Sequence, residues 1–495
     1  MMTVCGAMLG LSACHQPFHG ASTGSAQPSW DSARPAELPG NVVLDVEDTQ
    51  PIHGSAVPVD PAHAYSLAEL IDLAQRTNPS TRIAWEQARQ AADAVGLVEA
   101  TYLPQLSAEA VGGLQRAPMP VPTLLDAKGN LTADMAEIVP SLVVEWLLFD
   151  FGQRDAQTAA AQQMARAARV GFSGAHQKLI FEVSKAYFAL DAERSQLRVA
   201  ESALASAHVL QEAAEARHAR GLATMTEVAT ARRGTAKAVF DLEQAKAVDN
   251  DTYHGLLEVM GLRPTLKMTI VPSAGRPLPR HLSEDVDSAI RRALTRRPDI
   301  VAALAKMRAS EAEVAVADAA DYPKIGLVGT VGENIASLHV NPSGFGGTGI
   351  RANSVNEPAG GIMLSIRMPL FDGGLRDKAQ SIARSKRIAA EEDLSKAQDE
   401  AVRQVARTYD SLTSALAQHD AAKAFVAAAE EEAQSSLESY RQGVGTLTVA
   451  STAETERTRA QSAQARAYAD ILTAAAALAF ATGDLTSVDA LNGER

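Results

Sequence analysis

Ile138-Val139-Pro140-Ser141-Leu142-Val143-Val144-Glu145-Trp146-Leu147-Leu148-Phe149 is an alternating stretch. Its two faces differ when the chain is extended: Leu142, Val144, Trp146 and Leu148 fall on one, and Ser141, Val143, Glu145 and Leu147 on the other. The same pattern returns between Gly361 and Leu370, with Ile362, Leu364, Ile366, Met368 and Leu370 opposed to Gly361, Met363, Ser365 and Arg367. A strand that is apolar on one side and charged on the other suits a membrane barrel, with lipid outside and water within. Val144, Trp146, Leu364 and Ile366 are therefore expected to face lipid. Glu145 and Arg367 hold equivalent places, 222 residues apart (367−145), and are expected to face the pore.

Two further alternating stretches supply partners. After Pro104, Leu106, Ala108 and Ala110 alternate with Gln105, Ser107 and Glu109; after Pro323, Ile325, Leu327 and Gly329 alternate with Lys324, Gly326 and Val328. The segments Arg116 to Glu137 and Asn334 to Pro358 are rich in Pro, Gly and Asn and read as loops. Four strands do not close a barrel, and an unpaired edge is not tolerated in hydrocarbon, so several chains must contribute.

Outward from these strands the chain repeats itself. Arg76-Thr77-Asn78-Pro79 and Tyr102-Leu103-Pro104 are answered by Arg296-Arg297-Pro298-Asp299 and Asp321-Tyr322-Pro323, both prolines displaced by 219 (298−79, 323−104). Leu148-Phe149-Asp150-Phe151-Gly152 is answered by Leu370-Phe371-Asp372-Gly373-Gly374 at 222 (374−152), the displacement that also relates Gly221 to Gly443 and Gly261 to Gly483. After Gly152, and again after Gly374, a helical pattern runs for roughly 66 residues, or ~99 Å at 1.5 Å each. Val183, Leu190, Leu197 and Leu204 recur every seven residues, and Val402, Val405, Tyr409, Leu412 and Leu416 at alternating threes and fours, so these helices must pack on others. An ordinary soluble coiled coil would carry the same seam.

Composition agrees with long helices packed through small side chains: alanine dominates and aromatics are only 4% of the 495 residues. A net charge of −13 without a basic cluster argues against a nucleic-acid partner. The apolar run Ile471 to Ala481 is too short to cross ~30 Å of hydrocarbon as a helix. No P-loop, His-Glu-x-x-His, Gly-x-Ser-x-Gly or metal-spaced Cys and His is present, so no enzymatic activity and no cofactor are expected. At the N-terminus, Leu11-Ser12-Ala13-Cys14 resembles the lipobox of a bacterial lipoprotein, which makes Cys14 the expected lipid attachment site. A chance cysteine after small residues is the competing reading, because no Lys or Arg precedes the apolar run.

The order of Asn78-Pro79, Tyr102-Leu103-Pro104-Gln105-Leu106, Leu148 to Gly152, Arg296-Arg297-Pro298-Asp299-Ile300, Tyr322-Pro323-Lys324-Ile325, Leu370 to Gly374 and Tyr440-Arg441-Gln442-Gly443 resembles the TolC superfamily of outer-membrane efflux proteins, in its acylated NodT-like branch. The resemblance spans about Tyr65 to Leu485. It implies a mainly α fold with a β-barrel contribution: a homotrimer in which four strands per chain close a twelve-stranded barrel, continued by long periplasmic coiled-coil helices. It further implies a passive exit duct for small molecules in the outer membrane of a Gram-negative bacterium, working with a periplasmic adaptor (membrane fusion protein) and an inner-membrane pump. The helix tips around Arg220, Gly221, Thr224, Glu227 and around Arg441, Gly443, Thr446 are the implied adaptor-docking surface and gate. The family's aspartates after the second tip glycine are missing here, where Leu447-Thr448-Val449-Ala450-Ser451-Thr452-Ala453 follows.

The expected organisation is a lipoprotein signal segment 1–13, a flexible tether 14–64, a first repeat 65–262, a linker 263–283, a second repeat 284–485 and a tail 486–495. The strands are expected at about 104–116, 138–149, 323–333 and 361–371, and the long helices at about 153–218 and 375–441. Two rivals stand beside the efflux duct: the outer-membrane outlet of a type I protein secretion system, which shares the fold, and a soluble periplasmic coiled-coil adaptor or scaffold, which would not need lipid-facing alternation.

Overall fold

A computed structural model of the chain describes residues 59–120, 130–273, 278, 282, 284–342, 350–351 and 355–485. The signal segment 1–13, Cys14, the tether up to residue 58 and the tail 486–495 lie outside the described residues. All described residues belong to one unit, Gly54–Arg495.

The first half comprises β1 (Ala64–Tyr65), α1 (Leu67–Thr77), α2 (Pro79–Ala100), β2 (Gln105–Pro120), β3 (Asn130–Phe149), α3 (Gln153–Ala219) and α4 (Met225–Val259). The second comprises β4 (Thr269–Ile270), α5 (Val286–Arg296), α6 (Pro298–Ala319), β5 (Lys324–Pro342), β6 (Ile350–Arg351), β7 (Val355–Arg367), α7 (Leu375–Gln442) and α8 (Leu447–Ala481). Both halves begin with a helix that stops before a proline, since proline disfavours the α conformation of the residue ahead of it and then serves as the first residue of the next helix. Asn78 bridges the first break: its Oδ1 accepts from Ser80 N–H at 2.8 Å, and its Nδ2 donates to Val259 O at 2.6 Å. At the second break Arg297 takes the corresponding role, donating from Nη1 to Ala481 O at 3.0 Å.

The helices α3 and α7 have 67 and 68 residues, so each spans ~100 Å. Gly171 and Gly174 do not interrupt α3. Gly174 instead lets the start of α6 approach, because a Cβ there would stand 3.2 Å from Pro298 Cβ. The seam is buried where the short helices cover it: Val183, Leu190, Val405 and Leu412 are all at most 3% exposed. The main core joins α1, α3, α4 and the end of α8 through Leu70, Ile71, Leu190, Leu256, Leu257 and Met260, side chains whose full burial is worth about 1.5–3 kcal/mol each. The described start of the linker, up to residue 273, and Glu284 just beyond the linker are held at this level. β4 pairs with β1, Tyr187 Oη donates to Val271 O at 2.7 Å, Tyr468 Oη to Ser273 O at 2.9 Å and Tyr409 Oη to Glu284 O at 3.1 Å, and Asp191 accepts from Ser273 N–H and Oγ–H.

The long strands form an antiparallel sheet in the order β2-β3-β5-β7, with the short β6 also paired to β5. Two expectations need correction. The presumed loop from 116 to 137 is mostly strand, since β2 reaches Pro120 and β3 starts at Asn130; β5 likewise runs on to Pro342. The stretch expected as strand to residue 371 ends at Arg367, where the chain leaves the sheet ahead of Pro369, so Met368 and Leu370 are not strand residues.

Candidate functional site

Pairing register carries each face across the sheet. On the first face Leu106, Val144, Gly329 and Ile362 form one row, Trp146, Leu327 and Leu364 the row before it, and Ala108, Leu142, Val331 and Gly360 the row after. Ile325 and Ile366 are paired, and a bulge after Leu147 brings Phe149 into that same row. On the second face Gln105, Glu145, Val328 and Met363 form a row, and Lys324 stands directly opposite Arg367. Val144, Trp146, Leu364 and Ile366 thus share the apolar face, and Glu145 and Arg367 share the other with Glu109, Glu137, Glu357 and Lys324. The apolar side chains are open to the surroundings in one chain: Ile362 is 79% exposed and Ile366 68%.

The apolar face has ends. Trp146 donates its indole N–H to Tyr102 O at 2.8 Å, and beside the helix junction Phe149 meets Phe151 edge-on and Phe151 stacks on Tyr322, an aromatic cluster of the kind that sits at a membrane boundary. Seven rows from Ile366, in the row of Arg116 and Asp134, the face turns charged, with Arg116 Nε donating to Asp134 Oδ1 at 2.5 Å. Between these limits lies one acid among the described residues, Glu333, paired with Pro358.

The junction from strand to long helix was not foreseen as a site. Arg154, 6% exposed, donates to Asp150 Oδ2 from N at 3.0 Å and from Nε at 2.9 Å, and its Nη1 reaches Thr101 O at 3.0 Å and Leu147 O at 2.8 Å. One guanidinium therefore fixes the end of β3, the start of α3 and the end of α2. In the second half Arg376 pairs with Asp372 at 2.8 Å but turns its Nη1 to Asp321 at 3.0 Å, in a more open setting. The repeat pairs Asp150 with Asp372 and Arg154 with Arg376, a signal that sequence comparison of the halves could have caught.

At the far ends of the long helices the turns are built alike. Gly221 has φ 72° and Gly443 φ 87°; past Arg220, Leu222 N–H bonds to Arg217 O at 2.9 Å, and Val444 N–H to Ser439 O at 3.0 Å, closing each helix. Thr224 and Thr446 then cap the returning helices, accepting from Glu227 N–H at 3.2 Å and Val449 N–H at 3.4 Å. What joins the two tips is Arg217, which sequence reading passed over. Its Nη1 donates to Tyr440 O at 2.7 Å, its guanidinium lies over the Tyr440 ring at 4.9 Å from the centroid, and Tyr440 Oη donates to Glu227 Oε2 at 3.4 Å. Burial, helped by the Glu227 carboxylate, pushes the Tyr440 phenol up. The repeat maps Arg217 onto Ser439 and Tyr440 onto His218, so this link is made once per chain. Arg441 lies exposed at the tip.

Among the described residues no group of His, Cys, Asp or Glu is arranged to hold a metal ion, and no helix is long and apolar enough to cross a membrane. The sequence model described as outer membrane efflux protein matches residues 70–261 and again 289–484, one match to each half. Protein CyaE of Bordetella pertussis is 30% identical over 430 residues, 86% of this chain and 86% of its own. Outer membrane efflux protein BepC of Brucella suis is 25% identical over 342 residues, 69% of this chain and 71% of its own. The crystal structure of outer membrane protein VceC from Vibrio cholerae superposes with a TM-score of 0.68 at 21% identity, covering 84% of this chain and 96% of VceC, a likeness of fold.

Proposed function

Because the chain belongs to the outer membrane efflux protein family, we propose that three copies close one barrel and form the passive exit duct of a tripartite efflux system for small molecules. The observation that carries this reading is the two-faced sheet with two open margins: among the described residues β2 and β7 each lack a neighbour on one side, and a lipid-facing sheet must have none unpaired. Glu145 and Arg367 line the water-filled side, while Val144, Trp146, Leu364 and Ile366 meet lipid. Energy comes from the inner-membrane pump, and the periplasmic adaptor meets the tips at Arg220, Gly221, Thr224, Glu227, Arg441, Gly443 and Thr446, which also gate the duct. Lipid attachment at Cys14 adds a second hold on the membrane.

The test combines labelling with transport. In cells, cysteines placed at 145 and 367 react with a water-soluble thiol reagent and those at 144 and 366 do not, and deletion of the gene raises accumulation of a dye or drug that the intact chain restores to normal. Labelling of 144 and 366 with protection of 145 and 367, or accumulation unchanged by deletion, overturns the reading. Mass spectrometry of the mature N-terminus, expected to show an acylated Cys14, tests the anchor separately.

A further inference from the structure

In the helical part, α3 packs against α4 on one side and α8 on the other, and α7 packs against α8. The wall therefore runs α4-α3-α8-α7 and leaves α4 and α7 as its margins. α4 buries Val228, Ala231 and Thr235 toward its neighbours, and Arg233, Lys237 and Phe240 stand exposed on the far side, Phe240 by 68%. α7 buries Leu412, His419, Ala422, Ala429 and Ala433, and its opposite stripe reads Ala421, Ala424, Ala428, Glu431 and Glu438, all exposed.

These margins are opposite in charge and in bulk. Met225 to Phe240 holds Arg232, Arg233 and Lys237 against the single acid Glu227, whereas Ala424 to Tyr440 holds Glu430, Glu431, Glu432 and Glu438 and no cation. Arg232 is taken by Glu215 and Lys237 by Asp241, but Arg233, Glu431 and Glu432 make no ion pair within one chain among the described residues. The unpaired charges also lie at one height. Arg233 is 12 residues past Gly221 (233−221) and Glu431 is 12 before Gly443 (443−431). Phe240 and Ala424 are each 19 from the same glycines (240−221, 443−424).

We propose that α4 of one protomer docks antiparallel on α7 of a second copy, with Arg233 set against Glu431 and Glu432, and Phe240 seated over Ala421, Ala424 and Ala428. The direction follows from the topology, since α4 runs away from its tip and α7 toward its own. The proposal rests on the channel reading, because ring closure is what requires both margins to be covered. Alanine stripes alone slide past one another. A ring seated between alanines and a charge pair two turns away select one helical register, a displacement of one turn moving each by ~5.4 Å.

The experiment uses the full chain in native membranes. The variant pair Phe240→Cys with Ala424→Cys, oxidised, gives disulfide-linked dimers and trimers, while Phe240→Cys with Ser414→Cys, about ten residues off register, does not. Arg233→Glu lowers the trimer fraction in detergent at 0.15 M salt by at least about fivefold, an exposed pair's worth at each of several seams, and adding Glu431→Arg in the same chain restores it to within about twofold of the original. Equal cross-linking of the off-register pair, or a double variant no better than Arg233→Glu alone, overturns the seam. If either happens while a cysteine at 145 still labels from the pore, the seam is wrong and the channel stands. If 145 is also protected, both fall together.

Discussion

Arg154 and Arg376 occupy equivalent places and have different surroundings, so the same substitution should cost different amounts. With side chains only 8% and 7% exposed, Arg154 and Asp150 form a buried pair, and Arg154→Ala, which strands the carboxylate, is expected to destabilise the chain by about 3–5 kcal/mol. Arg376→Ala removes a partly solvated pair and should cost about 1 kcal/mol. Urea titration of the detergent-solubilised protein compares them directly. Glu69 offers a pH test. Hydrogen bonds from the Ser66 N–H, His63 and the Ser66 hydroxyl pull its carboxyl down to about 2 from the ordinary 4.5. The folded value is depressed, so this support for α1 is complete above pH 4.5 and is lost as pH falls toward 2. Hydrogen exchange of the α1 amides should accelerate across that window, and Glu69→Gln should flatten the change. At this scale little of the site was legible. The tip glycines and threonines announce themselves by type, but the bonds from Arg154 to Thr101 O and from Arg217 to Tyr440 O span 53 and 223 residues, which no local pattern reveals.

Strands carry the sharper lesson in what alternation can tell. From Ile138 to Leu147 the pairing divides the residues as alternation predicts, because every second side chain is apolar, but at the bulge after Leu147 Phe149 takes the place on the apolar face expected of Leu148. The loop reading fails further out because Pro118 and Pro120 count as breakers in a sequence, whereas both sit on β2, the margin strand, where a missing N–H need cost nothing. Pro140 lies inside the sheet, and Gly332 accommodates it: a Cβ at 332 would stand 2.5 Å from Pro140 O. Depth on the apolar face now orders the effect of an inserted charge. Ile362→Lys, two rows inside Ile366, should cost about 2–4 kcal/mol in a bilayer, and Ile366→Lys, beside the aromatic cluster, about 0–1 kcal/mol. Glu333→Val should stabilise by about 1 kcal/mol, since it removes an acid from that face. Refolding titrations into lipid vesicles measure all three, and equal costs at 362 and 366 would show that the depth order is wrong.

For the whole molecule, the like order of elements in the two halves is legible in the sequence, because prolines recur at a displacement of 219 residues and glycines at 222. What it concealed is where the halves part company, as at Arg217 and Tyr440. Gly443→Val forces a side chain into φ 87° and toward Arg217 Nη1, 3.2 Å from the added Cβ, so it should disturb the tip while leaving the sheet intact. Trimer levels in the membrane are expected to be normal and drug resistance reduced; full resistance would reduce the tips to helix caps. The junction held by Arg154 adds a mechanical consequence. It stands at one end of a rod ~100 Å long, and were the rod to tilt about that end, ~3° would carry the tip sideways by ~5 Å, about one helical turn. On the reading proposed above, in which the tips gate the duct, an aperture there would widen by ångströms while contacts beside the junction shift by a fraction of one.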